Sequence, residues 1–318
     1  MIEKISIGGI EQSILIQAGD KDKPILLVLH GGPGMPFPGV SCRAVENISQ
    51  VTTSKLVRNF KLIYWDQRGT GKSFSNKINN DSMNIGQYIS DANELVDRLR
   101  ERFNTDKIYL AGISWGSVIG MNMVRQFPNK FYAYFGIAQI INWAESDQLS
   151  YPWALEHAKS TNNKKAEQEL MKVGLPPYED SYDDWKVLRK WLMKFGGYTY
   201  KDDLIKPPSP ISTIQHLLFS PDYTIRDIIN TFKGLPLAFC YEMISDFSEI
   251  HHIEIPVYFF HGKHDKVCNI TLMESFFNKL SAPLGKHLIW LDNSAHFFYV
   301  DDAKKVEKII VESIKDIR

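Results

Sequence analysis

The chain reads as an α/β protein: a mostly parallel central sheet flanked by helices, with an inserted, mainly helical lid. Three observations predict this. Short runs of buried-type apolar residues alternate with helical periodicity near both ends of the chain, the pattern of strands joined by crossover helices. Gly112-Ile113-Ser114-Trp115-Gly116 stands between one such strand and one such helix. The interval from Ile140 to Ser245 breaks the alternation and separates candidate reactive residues on its two sides.

Taken in order, Ile5 and Ile7 alternate with polar residues, and Ser13 to Ile16 forms a second short β-like run. Gly8-Gly9 is placed to turn the first strand back on the second. Pro24 to Leu29 is a continuous apolar run, as expected of a strand buried on both faces, and His30-Gly31-Gly32-Pro33-Gly34 follows it. Lys61 to Trp65 has the same character and leads into Asp66-Gln67-Arg68-Gly69-Thr70-Gly71. Ile85, Tyr88, Ile89, Ala92, Leu95, Val96, Leu99 and Phe103 hold the rhythm of one amphipathic helix. Lys107 to Ala111 is a strand, Ser117 to Phe127 a helix ended by Pro128, and Phe131 to Ile137 another strand. Pro256 to Phe260 and His287 to Leu291 are two further core strands. A last helix, Asp301 to Ile317, buries Val306, Ile309, Ile310 and Ile314, and its leading aspartates suit the positive end of the helix dipole.

The interval in between is aromatic and helical, holding Trp143, Trp153, Trp185 and Trp191. Pro176-Pro177, Gly196-Gly197 and Pro207-Pro208 punctuate it. One catalytic domain, residues 1–139 with 246–318, interrupted by a lid of residues 140–245, fits this order better than two tandem domains.

Composition narrows the possible partners. Hydrophobic residues make up 44% and charged residues 23% of the 318, enough apolar surface for a large core. Lysine plus arginine equals aspartate plus glutamate, 37 each, which gives no support to nucleic-acid binding or to attachment at an anionic membrane. Cys42, Cys240 and Cys268 are too scattered for a disulfide framework, so a reducing, cytoplasmic setting is expected. The N-terminal residues lack a secretory pattern, and no apolar run approaches the ~18 residues of a membrane span.

Strand, abrupt turn and helix around Ser114 form the setting in which a serine hydroxyl is held exposed at the top of a sheet. The flanking glycines suit a turn so tight that a Cβ would clash. Such a hydroxyl needs a base, and the base needs a partner to fix its tautomer. Asp265 follows one late strand and His296 follows the next, so both satisfy the order serine, acid, histidine. Asp292 is a weaker candidate for the acid, because it shares the loop of His296 rather than facing it. The glycine-rich stretch after Leu29 lies where a second oxyanion donor is expected, which points to the Gly32 and Trp115 N–H groups. No metal is expected: His261 and His264 beside Asp265 suggest one, but the relay already uses that aspartate. Gly71-Lys72-Ser73 resembles the end of a phosphate-binding loop, yet Asp66 stands where its first glycine is required.

His30-Gly31-Gly32-Pro33-Gly34, the block from Asp66 to Ser73 and the block from Gly112 to Ser117, completed by Gly262-Lys263-His264-Asp265 and His296, resemble the α/β-hydrolase fold. Within that fold they resemble the proline iminopeptidases. The resemblance implies Ser114 as nucleophile, Asp265 and His296 as acid and base, Gly32 and Trp115 as the oxyanion pair, and no cofactor. It further implies release of an N-terminal proline or another small residue from short peptides or aminoacyl amides, with lid carboxylates holding the free amine. Glu145 and Glu242, beside Trp143 and Tyr241 near the two ends of the lid, are the first candidates for that role. The family often carries Gly-Gly-Ser-Trp-Gly-Ser at the elbow, where this chain has Ile113 in place of the second glycine. A carboxylesterase or amidase of small apolar substrates, and a catalytically silent ligand receptor on the same fold, remain as alternatives.

Overall fold

The computed structural model describes residues 1–17, 22–34, 47–48, 50–178, 181–200, 223–239 and 246–316. Its strands are β1 (Ile2–Ile7), β2 (Ile10–Gln17), β3 (Ile25–Leu29), β4 (Asn47–Ile48), β5 (Val51–Thr52), β6 (Lys61–Asp66), β7 (Ile108–Ile113), β8 (Phe131–Ile137), β9 (Val257–Gly262) and β10 (Lys286–Leu291). Its α-helices are α1 (Leu56–Asn59), α2 (Ile85–Arg102), α3 (Trp115–Gln126), α4 (Trp143–Ser160), α5 (Lys164–Val173), α6 (Tyr182–Lys194), α7 (Ile225–Ala238), α8 (Ile270–Lys279) and α9 (Val300–Asp316).

Eight strands form one sheet in the order β1-β2-β6-β3-β7-β8-β9-β10. In this sheet the hairpin β1–β2 and the β2–β6 pair are antiparallel and the other pairings parallel, while β4 and β5 form a separate antiparallel pair. Gly8 and Gly9 both take positive φ at the hairpin turn, as their position suggests. Period-two alternation sorts each central strand between two cores. Ile25, Leu27 and Leu29 of β3 enter one cluster with Tyr88, Leu95, Leu99, Val118 and Met121 of α2 and α3. Leu26 and Val28 enter the other with Leu56, Ala303, Val306 and Ile310 of α1 and α9. Each such aliphatic side chain contributes about 1.5–3 kcal/mol when fully buried, so this two-sided burial sets the register of the central strands.

Helix ends follow local chemistry. Asn84, Asn142, Asn163 and Ser181 cap α2, α4, α5 and α6 through side-chain oxygens, and Thr224 with Asp227 makes a capping box on α7. Within the interval expected to be a lid, α4, α5 and α6 enclose a small core of their own around Tyr151, Leu170, Leu188 and Trp191. Pro176-Pro177 and Gly196-Gly197 fall after α5 and α6, as punctuation should. Pro207-Pro208, Cys42, Cys240, Tyr241 and Glu242 lie outside the described residues. Among the described residues, no helix is long and apolar enough to cross a membrane.

Three boundaries differ from the sequence expectation in a way that matters. Strand β7 runs on to Ile113, because Gly112 and Ile113 stay in register with Gly136 and Ile137 of β8. Helix α3 starts at Trp115 rather than near Ser117. Ser114 is therefore the single residue between strand and helix, a tighter turn than the apolar pattern alone conveys. Strand β9 likewise extends to Gly262, so the loop carrying Asp265 opens at Lys263.

Candidate active site

Parallel strands bring their C-terminal ends to one rim of a sheet, and Gly32, Ser114, Trp115, Asp265 and His296 follow such ends. Ser114 sits there with φ 50° and ψ −118°, a strained conformation for a non-glycine residue, costing on the order of 1–3 kcal/mol. The surroundings hold it in place: its N–H donates to Ile137 O at 2.9 Å, and its carbonyl accepts from Ser117 Oγ at 2.5 Å. Ser117 Oγ in turn accepts from Ile140 N at 3.0 Å, tying the elbow to the chain leaving β8. A Cβ on Gly116 would stand 2.2 Å from Leu29 O, and one on Gly112 would stand 2.7 Å from Gly116 O. The two glycines of the motif are thus steric requirements of this packing.

Asp265, His296 and Ser114 meet in an unbroken hydrogen-bonded chain. His296 Nδ1 donates to Asp265 Oδ2 at 3.0 Å, and Ser114 Oγ donates to His296 Nε2 at 3.1 Å. A carboxylate only accepts, so the imidazole proton belongs on Nδ1 and Nε2 faces the hydroxyl as acceptor. Asp265 Oδ1 accepts from Val267 N at 2.7 Å and Cys268 N at 2.9 Å, which locks the carboxylate in its own loop. Burial alone would raise the Asp265 pKa, but the His296 charge and hydrogen bond, His261 and the Cys268 N–H outweigh it and hold it below the ordinary carboxylate range. Gln50 Nε2 donates to His296 O at 3.2 Å, and Tyr198 packs edge-on against the imidazole with centroids 5.3 Å apart. Asp292 is exposed and pairs with Lys263 at 2.5 Å.

The histidines considered for a metal are engaged elsewhere. His261 Nε2 donates to Cys268 O at 2.8 Å, and His264 Nε2 donates to Asp292 O at 3.1 Å while its ring stacks on Tyr200. A different set, Asp265, Cys268 and His296, brings ligand atoms within 4.8 Å of one another. Its carboxylate and imidazole already bond each other, the Cys268 thiol donates to Ala138 O at 3.3 Å, and burial raises the thiol pKa, disfavouring the thiolate a metal needs.

Gly32 lies in the turn after β3 with φ 128°, and the Trp115 N–H belongs to the open first turn of α3. Between them stands a residue the sequence reading did not single out. Gln67 Oε1 accepts from Trp115 Nε1 at 3.0 Å, and its Nε2 donates to His30 O at 3.1 Å. Gln67 N donates to His30 Nε2 at 3.2 Å, while His30 Nδ1 donates to Gly31 O at 2.8 Å. The next residue, Arg68, forms a buried ion pair with Asp91 at 2.8 Å and donates to Gly8 O at 2.8 Å. The only sequence signal for Gln67 is an amide-bearing residue between a buried strand and a glycine-rich loop.

Glu145 is exposed in the first turn of α4, and Glu242 lies outside the described residues. The helical interval instead presents aromatic rings near the elbow. Trp143 lies with its ring centroid 6.2 Å from that of Trp115 and 5.9 Å from that of Trp185, which stands 4.9 Å from Phe239. Arg189 covers Trp143 and Trp185 at 5.4 and 4.9 Å and pairs with buried Asp147. Burial raises the Asp147 carboxyl to about 6 despite that partner.

Known proteins share this fold. Residues 24–170 match the family model described as α/β hydrolase fold. A probable aminopeptidase, YbaC of Bacillus subtilis (strain 168), is 28% identical over 311 residues, covering 95% of this chain and 92% of that protein. The crystal structure of VinJ superposes with a TM-score of 0.70 at 12% identity, covering 100% of this chain and 99% of the other. A proline iminopeptidase from Mycobacterium smegmatis superposes with a TM-score of 0.64 at 13% identity, covering 100% of this chain and 98% of that one. The chain has the α/β-hydrolase fold and resembles the proline iminopeptidases.

Proposed function

We propose that this protein is a serine hydrolase acting through an acyl-enzyme, and specifically an aminopeptidase. In this reading it releases an N-terminal proline or another small residue from short peptides or aminoacyl amides. The observation that carries the reading is the continuous hydrogen-bonded chain from Ser114 through His296 to Asp265, with the hydroxyl on a one-residue turn at the sheet rim. Similarity to the probable aminopeptidase of Bacillus subtilis supports the choice of substrate class.

In the proposed cycle, Ser114 Oγ attacks the scissile carbonyl carbon and its proton passes to His296 Nε2. Asp265 stabilises the resulting imidazolium, and the Gly32 and Trp115 N–H groups receive the oxyanion. His296 then gives the proton to the leaving amine. Water, activated by the same imidazole, cleaves the acyl-enzyme and restores Ser114. Every step uses groups of the chain and water. Residues 140–245 serve as a lid over a catalytic domain made of 1–139 and 246–318, and the rings near Trp143 and Trp185 form the apolar acyl pocket. Glu145 and Glu242 hold the substrate amine.

Two measurements test this. A fluorophosphonate should modify Ser114 stoichiometrically, whereas absence of labelling on folded protein would favour a silent receptor. N-acetylation of a short peptide or aminoacyl-amide substrate should abolish turnover. Equal rates on free and acetylated forms would replace the aminopeptidase by an esterase or amidase.

A further inference from the structure

We propose that Gln67 is the positioning residue for the oxyanion site: one buried side-chain amide sets the separation of the two chain segments that carry Gly32 and Trp115. The inference rests on the serine-hydrolase reading above. Its observations are the two opposed hydrogen bonds of the amide, Oε1 from the Trp115 indole and Nε2 to the His30 carbonyl.

The orientation of this amide follows from its partners. An indole N–H can only donate and a carbonyl oxygen can only accept, so flipping the amide would face donor to donor and acceptor to acceptor. Gln67, His30 and Trp115 are all buried, at 1%, 3% and 1% exposure, so water does not substitute for a lost partner. His30 immediately precedes Gly31-Gly32, and its ring is fixed between Gln67 N and Gly31 O. Burial pushes the His30 imidazole down to about 4, which keeps Nε2 an acceptor at neutral pH. Gln67 therefore grips the Gly32 segment through its main chain and side chain, and grips the elbow helix through Trp115. Gln67 is itself buried, so in this proposal it acts through the spacing of the two donors. Preorganised donors stabilise a developing oxyanion only if they need not move during reaction.

The test compares wild type with Gln67→Met, which keeps the length and loses both hydrogen bonds, and with Trp115→Phe, which loses the indole bond alone. The probes are a short-chain p-nitrophenyl ester and a fluorophosphonate. Removing one oxyanion donor outright costs about 10²–10³ in rate, so displacing donors without deleting them should cost Gln67→Met about ten- to a hundredfold in kcat. KM should stay within about threefold, since the ground-state carbonyl draws little on these donors. Fluorophosphonate labelling, which also develops charge on oxygen, should slow in parallel with kcat. Trp115→Phe should show the same split with a smaller loss, and the double variant should fall no further than Gln67→Met. A folded Gln67→Met protein with unchanged kcat, or with a rise in KM alone, overturns the proposal. If Gln67→Met does not fold, Trp115→Phe decides on the same criteria. Wild type that is not labelled at Ser114 refutes the serine-hydrolase reading itself; labelled wild type beside a fully active Gln67→Met refutes the positioning role alone.

Discussion

Two buried Arg–Asp pairs, one in the sheet-borne part and one among the helices between β8 and β9, show how differently the two regions are built. Asp91 accepts from Arg68 Nε and Nη2, from Gln12 Nε2 and from Gln87 Nε2, while Arg68 also reaches Gly8 O and Ser82 Oγ. The pair staples the hairpin, α2 and the loop holding Gln67, so the rim of the site inherits a fixed backbone. Asp147 meets Arg189 under tryptophan rings, and burial still lifts its carboxyl to about 6. One pair is a satisfied network; the other holds a carboxylate close to losing its charge. The proposed chemistry rests on the first kind of support, and the proposed acyl pocket on the second.

Breaking the relay should have the largest effect. Ser114→Ala is expected to lower kcat by about four or more orders of magnitude while leaving the thermal midpoint near that of wild type, measured by ester hydrolysis and calorimetry. Ser114→Gly should be equally inactive yet more stable, on the order of 1 kcal/mol, because glycine relieves the positive φ at the elbow. A Ser114→Gly protein less stable than Ser114→Ala would show that the turn is not under strain.

The ion pairs come next. Arg68→Met leaves the buried Asp91 carboxyl without its cation among donors that cannot replace the guanidinium, and denaturant titration should register a loss of about 3–5 kcal/mol. Arg189→Met should cost less, and the cost should shrink between pH 8 and pH 5 as Asp147 takes up a proton. Equal, pH-independent losses for the two variants would erase the distinction between the regions.

The sign of the pH effect in wild type follows from the same carboxyl. A folded pKa near 6 lies above the ordinary carboxylate value, so between about pH 6 and pH 4 Asp147 holds its proton more in the folded protein than in the unfolded chain. Acidification through that window therefore adds stability from Asp147. Asp265 works in the opposite direction: its depressed pKa contributes stability that is lost as pH falls through the folded value. Asp147→Asn should remove the first contribution, on the order of 1–3 kcal/mol, and leave a profile that declines more steeply toward acid. An unchanged profile would mean that Asp147 is ionised and well solvated in both states.

This contrast also explains what could be read from residues alone. Gly112, Gly116, Ser114 and the strand-end positions of Asp265 and His296 are legible because backbone geometry dictates residue type or chain order there. Gln67 is not, since its value arises where three loops far apart in sequence converge on one amide. Asp147 and Arg189 lie on separate helices, 42 residues apart, with no periodic signature linking them. Even the one-residue elbow was blurred, because the apolar pattern does not mark where β7 stops and α3 starts.

The smallest expected effect concerns Glu145, and it sharpens the comparison most. As an amine anchor on α4 it would act from an exposed position, where a charge pair is worth about 0.2–1 kcal/mol. Glu145→Gln should then raise KM for free-amine substrates by at most about fivefold, with kcat unaltered and no effect on any residual turnover of acetylated analogues. A much larger rise would mean that the helical region closes over Glu145 when substrate binds, desolvating the pair. No change at all would move the anchoring role away from the first turn of α4. Either departure bears on the helical interval alone, because among the described residues no hydrogen bond joins Glu145 to the Ser114–His296–Asp265 chain.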